Sequence, residues 1–109
     1  MSLECKYPKG RLVQSATEKA PYVIDVAEWE SAPSAPLVDY VFDESDGSNV
    51  KATVMPSGTP TVTGTKITCP LLQSLTLGRR YRVEVSFTGT NSARWECHYR
   101  VECINVSTS

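Results

Sequence analysis

The segment RWECHYRVEC, residues 94–103, puts two cysteines and the only histidine of the chain within ten positions. Thiolates and imidazoles are zinc ligands, and paired they form the nucleophile and base of thiol enzymes. The residue types nevertheless alternate as a strand would. Trp95, Cys97, Tyr99, Val101 and Cys103 make an apolar row, while Arg94, Glu96, His98, Arg100 and Glu102 make a charged row of mixed sign. In a strand, Cys97 and Cys103 share a side but lie roughly 20 Å apart at about 3.3 Å per residue. A zinc–sulfur bond is about 2.3 Å long, so the two cannot share one ion. Nor can they bridge each other. His98 leaves on the side opposite Cys97 and cannot activate its thiol. The expectation is a strand whose odd-numbered residues enter the core. Its even-numbered face, beside Arg80, Arg82 and Glu84, offers cross-strand ion pairs. That face reads first as solvated sheet surface; its functional reading is a polar docking surface with His98 as a pH-sensitive contact.

The other chemical candidates are weaker. DESDGSN (43–49) gathers three acids, but without the alternating ligand spacing of an EF-hand, and is expected to be a solvated hairpin turn. Asn105-Val106-Ser107 is a glycosylation sequon only in a chain secreted by a eukaryotic cell. Arg79-Arg80 after Gly78 suits a turn better than a phosphate clamp. Trp29 and Trp95 are expected in the core or at its edge; an exposed one would mark an interface. There is no phosphate-binding glycine loop and no Ser/His/Asp set, so no catalytic, cofactor-binding or metal-binding residue is expected and the chain is read as a non-enzyme.

Eleven basic and twelve acidic residues give a net charge of −1. That balance argues against nucleic-acid binding and against a polybasic membrane anchor. No apolar run approaches the roughly 20 residues of a membrane helix, and the opening MSLECKYPKG lacks the apolar centre of a signal peptide. Cys5, Cys69, Cys97 and Cys103 fit either two disulfides, in any of three pairings, or a reduced protein using cysteine as a small apolar residue. Without a visible secretion signal the reduced reading is preferred.

These residues need strands to hold them, and β-branched side chains dominate the chain. In YVIDVAEW (22–29), Tyr22, Ile24 and Val26 share one face and Val23, Ala27 and Trp29 the other. ESAPSAP (30–36), with two prolines, is not expected to continue a ladder. LVDYVFDE (37–44) is read with Val38, Tyr40 and Phe42 inward and Asp39 and Asp43 outward. A turn at 46–49 leads to VKATV (50–54), read as a strand with Val50, Ala52 and Val54 on one side. PSGTP (56–60) breaks the chain. TVTGTKITCPLL (61–72) gives two short strands around Gly64, with Ile67, Cys69 and Leu71 inward and Pro70 indicating an edge or a bulge. In LTLGRRYRVEVSFTG (75–89), Tyr81, Val83, Val85 and Phe87 alternate with Arg80, Arg82, Glu84 and Ser86. The last strand covers 94–106. The organisation is an N-terminal arm or linker at 1–20 with at most one short strand, a domain at 21–106, and a tail at 107–109. The fold class is all-β, about seven antiparallel strands in a two-sheet sandwich.

LTLGRRYRVEVSF resembles the E–F corner of immunoglobulin-like and fibronectin type III-like domains, with Tyr81 at the position whose hydroxyl bonds backbone a few residues upstream. The immunoglobulin pattern of two cysteines and a tryptophan on their usual strands is absent. More narrowly, YVIDVAEW, GTPTVTGTKITCP and LTLGRRYRVEVSFTGTNSARWECHYRVEC, spread over about residues 21–104, resemble small domains of bacteriophage and prophage structural modules. The resemblance implies an immunoglobulin-like β-sandwich serving as a virion accessory or connector component, found in a bacterial host's cytoplasm or in the virion. It implies a protein partner or self-association, including a homo-oligomer, through sheet faces or through open edges such as the Pro70 segment and the N-terminal arm. It carries over no functional residue. The alternative is a secreted adhesion or carbohydrate-binding module stapled by disulfides, for example Cys69 to Cys97.

Overall fold

The computed structural model describes residues 3–4 and 12–104. In chain order β1 is Leu3–Glu4, β2 Leu12–Gln14, β3 Val23–Asp25, β4 Ser34–Asp43 and β5 Ser48–Asn49. A single helical turn, α1, spans Lys51–Val54, followed by β6 (Thr61–Thr63), β7 (Lys66–Thr68), β8 (Arg80–Thr88) and β9 (Arg94–Cys103). Cys5, the sequon at Asn105 and the end of the last expected strand lie outside the described residues.

The larger sheet runs β1-β9-β8-β4-β5, with β2 also on β9; the smaller runs β3-β7-β6. Buried side chains of both sheets join one apolar cluster, so the chain is all-β with a shared core. The expected alternation of faces holds through β8 and β9, with Ser86 buried on the outer face, and the two pair antiparallel from Arg80 opposite Glu102 to Thr88 opposite Arg94. Tyr81, Val83, Val85 and Phe87 are buried, as are Cys97, Tyr99, Val101 and Cys103. Full burial of a Val or Phe side chain contributes about 1.5–3 kcal/mol, so these rows are the main cohesion of the sheet. Trp29 and Trp95 are partly buried and packed against the cluster, at its edge as expected.

Several readings are corrected. Within LVDYVFDE the alternation breaks at Asp39: Val38 lies opposite Val85, but Tyr40 lies opposite Glu84, leaving Asp39 as the extra residue of a bulge. One inserted residue flips the parity of everything after it. Val38 and Val41 therefore both point inward, whereas Tyr40 is 49 % exposed, Phe42 is half-buried, and Asp43 is buried. The carboxylate of Asp43 accepts hydrogen bonds from Arg79 Nη1 at 2.6 Å and from the Ser45 N–H at 2.9 Å, which is what makes its burial tolerable. β4 also begins earlier than the prolines suggested. Ser34 already pairs with Thr88, and a second irregularity between Ser34 and Leu37 accommodates Ala35, at φ 48°, and Pro36.

Residues 51–54 form a helical turn instead of a strand. Val50 and Val54 are four apart, which places them on one side of a helix as readily as on one face of a strand. The Val54 N–H donates to the Val50 carbonyl at 3.0 Å, Val54 is buried and Ala52 is exposed. The Asn49 side-chain oxygen accepts from the N–H groups of both Val41 and Lys51, which turns the chain at this point.

Beyond β7, Cys69 is buried as expected, but Leu72 is buried and Leu71 is 46 % exposed. β7 is the central strand of its sheet and stops at Thr68, so Pro70 lies past its end and not on an edge strand. Leu72 then pairs with Ala20 across an isolated bridge.

The wholly antiparallel expectation fails at one margin. β1 and β2 run parallel to β9, with Leu3 opposite Cys97 and Leu12 opposite Val101. β9 is paired by β8 on one side only, and the N-terminal segment supplies the partner for the other. Gln14 ties that segment down. Its amide is 1 % exposed, its Nε2 donates to the carbonyls of Leu72 at 2.7 Å and Glu18 at 3.0 Å, and its Oε1 accepts from the Tyr22 hydroxyl at 2.8 Å. At the opposite corner the Thr76 N–H donates to the Tyr81 hydroxyl at 2.8 Å, the upstream backbone bond anticipated for Tyr81.

Candidate interaction surface

The bulge at Asp39 has a chemical result. It turns Tyr40 and Phe42 onto the outer face of the larger sheet, where Leu37 already lies, so that Leu37, Tyr40 and Phe42 stand level with Ser86, Glu84 and Arg82 on β8. Those in turn stand level with Glu96, His98 and Arg100 on β9. An apolar strip thus runs beside the mixed-charge face foreseen for residues 80–102. Leu37 is 53 % exposed and Tyr40 49 %.

Between these three strands lies an open groove of about 400 Å³, lined by Tyr40 and Phe42, by Arg82 and Glu84, and by Glu96 and His98, with Asp39 and Val85 completing it. The rings of Tyr40 and Phe42 stack at 5.2 Å with 21° between their planes. The Arg82 guanidinium lies over Phe42, 5.2 Å from the ring centre. Its Nε is 2.7 Å from Glu84 Oε2 and its Nη1 is 3.7 Å from Glu44 Oε2. Glu44 also takes Arg100, whose Nε lies 3.1 Å from Oε2. At the far end Arg94 is pinned flat: its Nη1 donates to the Ala35 carbonyl at 3.0 Å and to Thr88 Oγ1 at 2.8 Å, and its Nη2 donates to Ser86 Oγ at 2.7 Å. These bonds fix the walls of the groove and bury Ser86 beneath Arg94.

His98 lines this groove, on the charged face that the sequence reads first as solvated surface and second as a docking surface. Partial burial lowers its pKa below the usual imidazole value; the charges of Glu84 and Glu4 oppose the shift and those of Arg100 and Arg82 reinforce it. Cys97 is fully buried on the other side of the strand, so the pair shares no site. Cys69 is likewise buried, its thiol pushed up to about 11 by burial against the opposing pull of a hydrogen bond from Tyr99. Burial also raises the Cys103 thiol. Cys69, Cys97 and Cys103 are free thiols, with no bridge between Cys69 and Cys97. Thiols held in this way are poor nucleophiles. Among the described residues no three His, Cys, Asp or Glu side chains gather as a metal site. The acids of 43–49 are instead engaged locally, Asp43 with Arg79 and Asp46 with the Ser48 N–H and hydroxyl.

What sequence spacing missed is the aromatic half of the groove. The signal was slight: Val38 and Val41 are three apart in a segment otherwise read with period two, the spacing that a single bulged residue produces.

No family model, curated protein or solved structure matches this chain.

Proposed function

We propose that this chain is a non-catalytic protein-interaction module with the build of an immunoglobulin-like sandwich, serving as a phage-type virion accessory or connector component. The observation that carries the interaction role is the groove on the outer face of β4, β8 and β9, where an exposed aromatic strip lies beside fixed ion pairs. Interfaces are enriched in aromatic and arginine side chains of this kind, surrounded by polar residues. The Thr76–Tyr81 corner bond supports the immunoglobulin-like assignment. The separation of Cys97 from His98 and the burial of the thiols support a binding role over catalysis. A second reading, a carbohydrate-binding module, draws support from the exposed Tyr40 ring beside carboxylates, since aromatic platforms also receive sugars.

The test is native mass measurement with affinity capture from the source lysate, run on the wild type, on Tyr40→Ala and on Thr61→Ala at the opposite sheet. A self-assembly or a captured protein that survives Thr61→Ala but is lost in Tyr40→Ala supports the reading. A monomer that captures nothing, or capture indifferent to Tyr40, refutes it.

A further inference from the structure

Resting on that reading of the outer face, we propose that the groove receives an arginine side chain presented by the protein partner. The groove has three carboxylates, Asp39, Glu84 and Glu96, and one permanently charged cation, Arg82. Arg82 is already committed to Glu84, to Glu44 and to the Phe42 ring. Asp39 and Glu96 enter no hydrogen bond or ion pair among the described residues. His98, its pKa lowered, adds little positive charge at neutral pH. Two carboxylates without a counter-charge among the described residues therefore line the same groove as an exposed aromatic ring.

A guanidinium meets both demands at once. Its plane stacks on an aromatic face, and its edge donates paired N–H groups to a carboxylate. The Arg82–Phe42 contact is the same interaction made internally, one residue pair along the same face. A lysine ammonium is a point charge that can pair but not stack flat. A sugar would stack on Tyr40 but would leave Asp39 and Glu96 without a cation. A groove of about 400 Å³ is at the small end for ligand sites, which suits one long side chain entering from a partner's surface.

The test is an amide-shift NMR titration of the full chain with the peptide acetyl-Gly-Arg-Gly-amide and with its neutral citrulline counterpart. The arginine peptide is expected to shift amides around Tyr40 and Glu96, less so as salt is raised. The citrulline peptide should bind at least about fivefold more weakly, and Glu96→Gln and Tyr40→Ala should each weaken arginine binding about three- to fivefold. Thr61→Ala should bind as the wild type does. The proposal falls if the groove amides do not respond to the arginine peptide, if both peptides bind alike, or if maltose or cellobiose shifts those amides and the arginine peptide does not. Should Tyr40-dependent capture of a protein persist alongside such a failure, only the choice of arginine is wrong. Capture indifferent to Tyr40 would remove the recognition surface itself.

Discussion

At Gly89 the space for a side chain is already taken. A Cβ added there would collide with Glu30 Oε1 and come within 2.8 Å of Trp95 Nε1. Glu30 is a buried carboxylate, 8 % exposed, that closes the turn after β3 onto the β8–β9 hairpin. Burial alone would raise its pKa, but hydrogen bonds from the backbone of Thr90 and Ala32 and from the Thr90 hydroxyl outweigh it and lower the pKa. A methyl group at residue 89 must push that carboxylate off its donors. Gly89→Ala is therefore expected to destabilise the fold by about 1–3 kcal/mol, the range for overpacking a fixed site. The urea midpoint measures the loss, and a change in tryptophan emission locates it at Trp95. A midpoint equal to that of the wild type would mean that Glu30 can retreat without cost.

Among the elements, legibility follows regularity. β8 and β9 were readable, residue by residue, because each keeps strict period two over its whole length and the partner strand repeats it. β4 was not, because a bulge carries no residue type of its own and Asp39 reverses every face after it. The helical turn at 51–54 was hidden by a spacing common to both structures, and the Tyr40–Phe42 half of the groove went with the misread strand. The N-terminal arm, read with room for one short strand, carries two among the described residues, and neither could be placed from the sequence, for another reason. Two- and three-residue strands lack the length for a pattern, and β2 is held by a side chain, Gln14, that no periodicity marks as buried. Gln14→Ala should cost about 1–3 kcal/mol, since the Leu72 carbonyl and the Tyr22 hydroxyl lose a buried partner. Hydrogen exchange separates this from a general weakening: the amides of Leu12–Gln14 should exchange faster by more than those of β8. Equal acceleration throughout would show that β2 is held by the ladder to β9 and not by the glutamine.

For the molecule as a whole, the ionisable groups predict sensitivity to acid. Asp43 is desolvated, yet Arg79 and Ser45 draw its pKa below 3.8, while hydrogen bonds hold Asp25 and Asp46 low as well. A group depressed in the folded state binds fewer protons there than in the unfolded chain. Its stabilisation is present above the unfolded pKa and is lost as pH falls through the folded one. His98, depressed from 6.5, acts in the same direction at a higher pH. Denaturant midpoints should fall between about pH 7 and about pH 3, and Asp43→Asn should flatten the lower part of that decline at the expense of stability at neutral pH. The thiols give an independent measure of the same cohesion. Cys69, Cys97 and Cys103 are each 1 % exposed or less and share one core, Cys97 and Cys103 on β9 and Cys69 one residue past the end of β7. Alkylation by iodoacetamide must then wait for an opening that separates the sheets, and such openings cost much or all of the global unfolding free energy. Mass spectrometry should find these three cysteines unmodified in the native protein over times that label them fully in urea, and Gly89→Ala and Gln14→Ala should speed their modification in proportion to the stability each removes. Rapid native labelling of Cys97 alone would mean that β9 can leave the sheet by itself, and the strand that bears the charged half of the groove would then not be the rigid wall that recognition there requires.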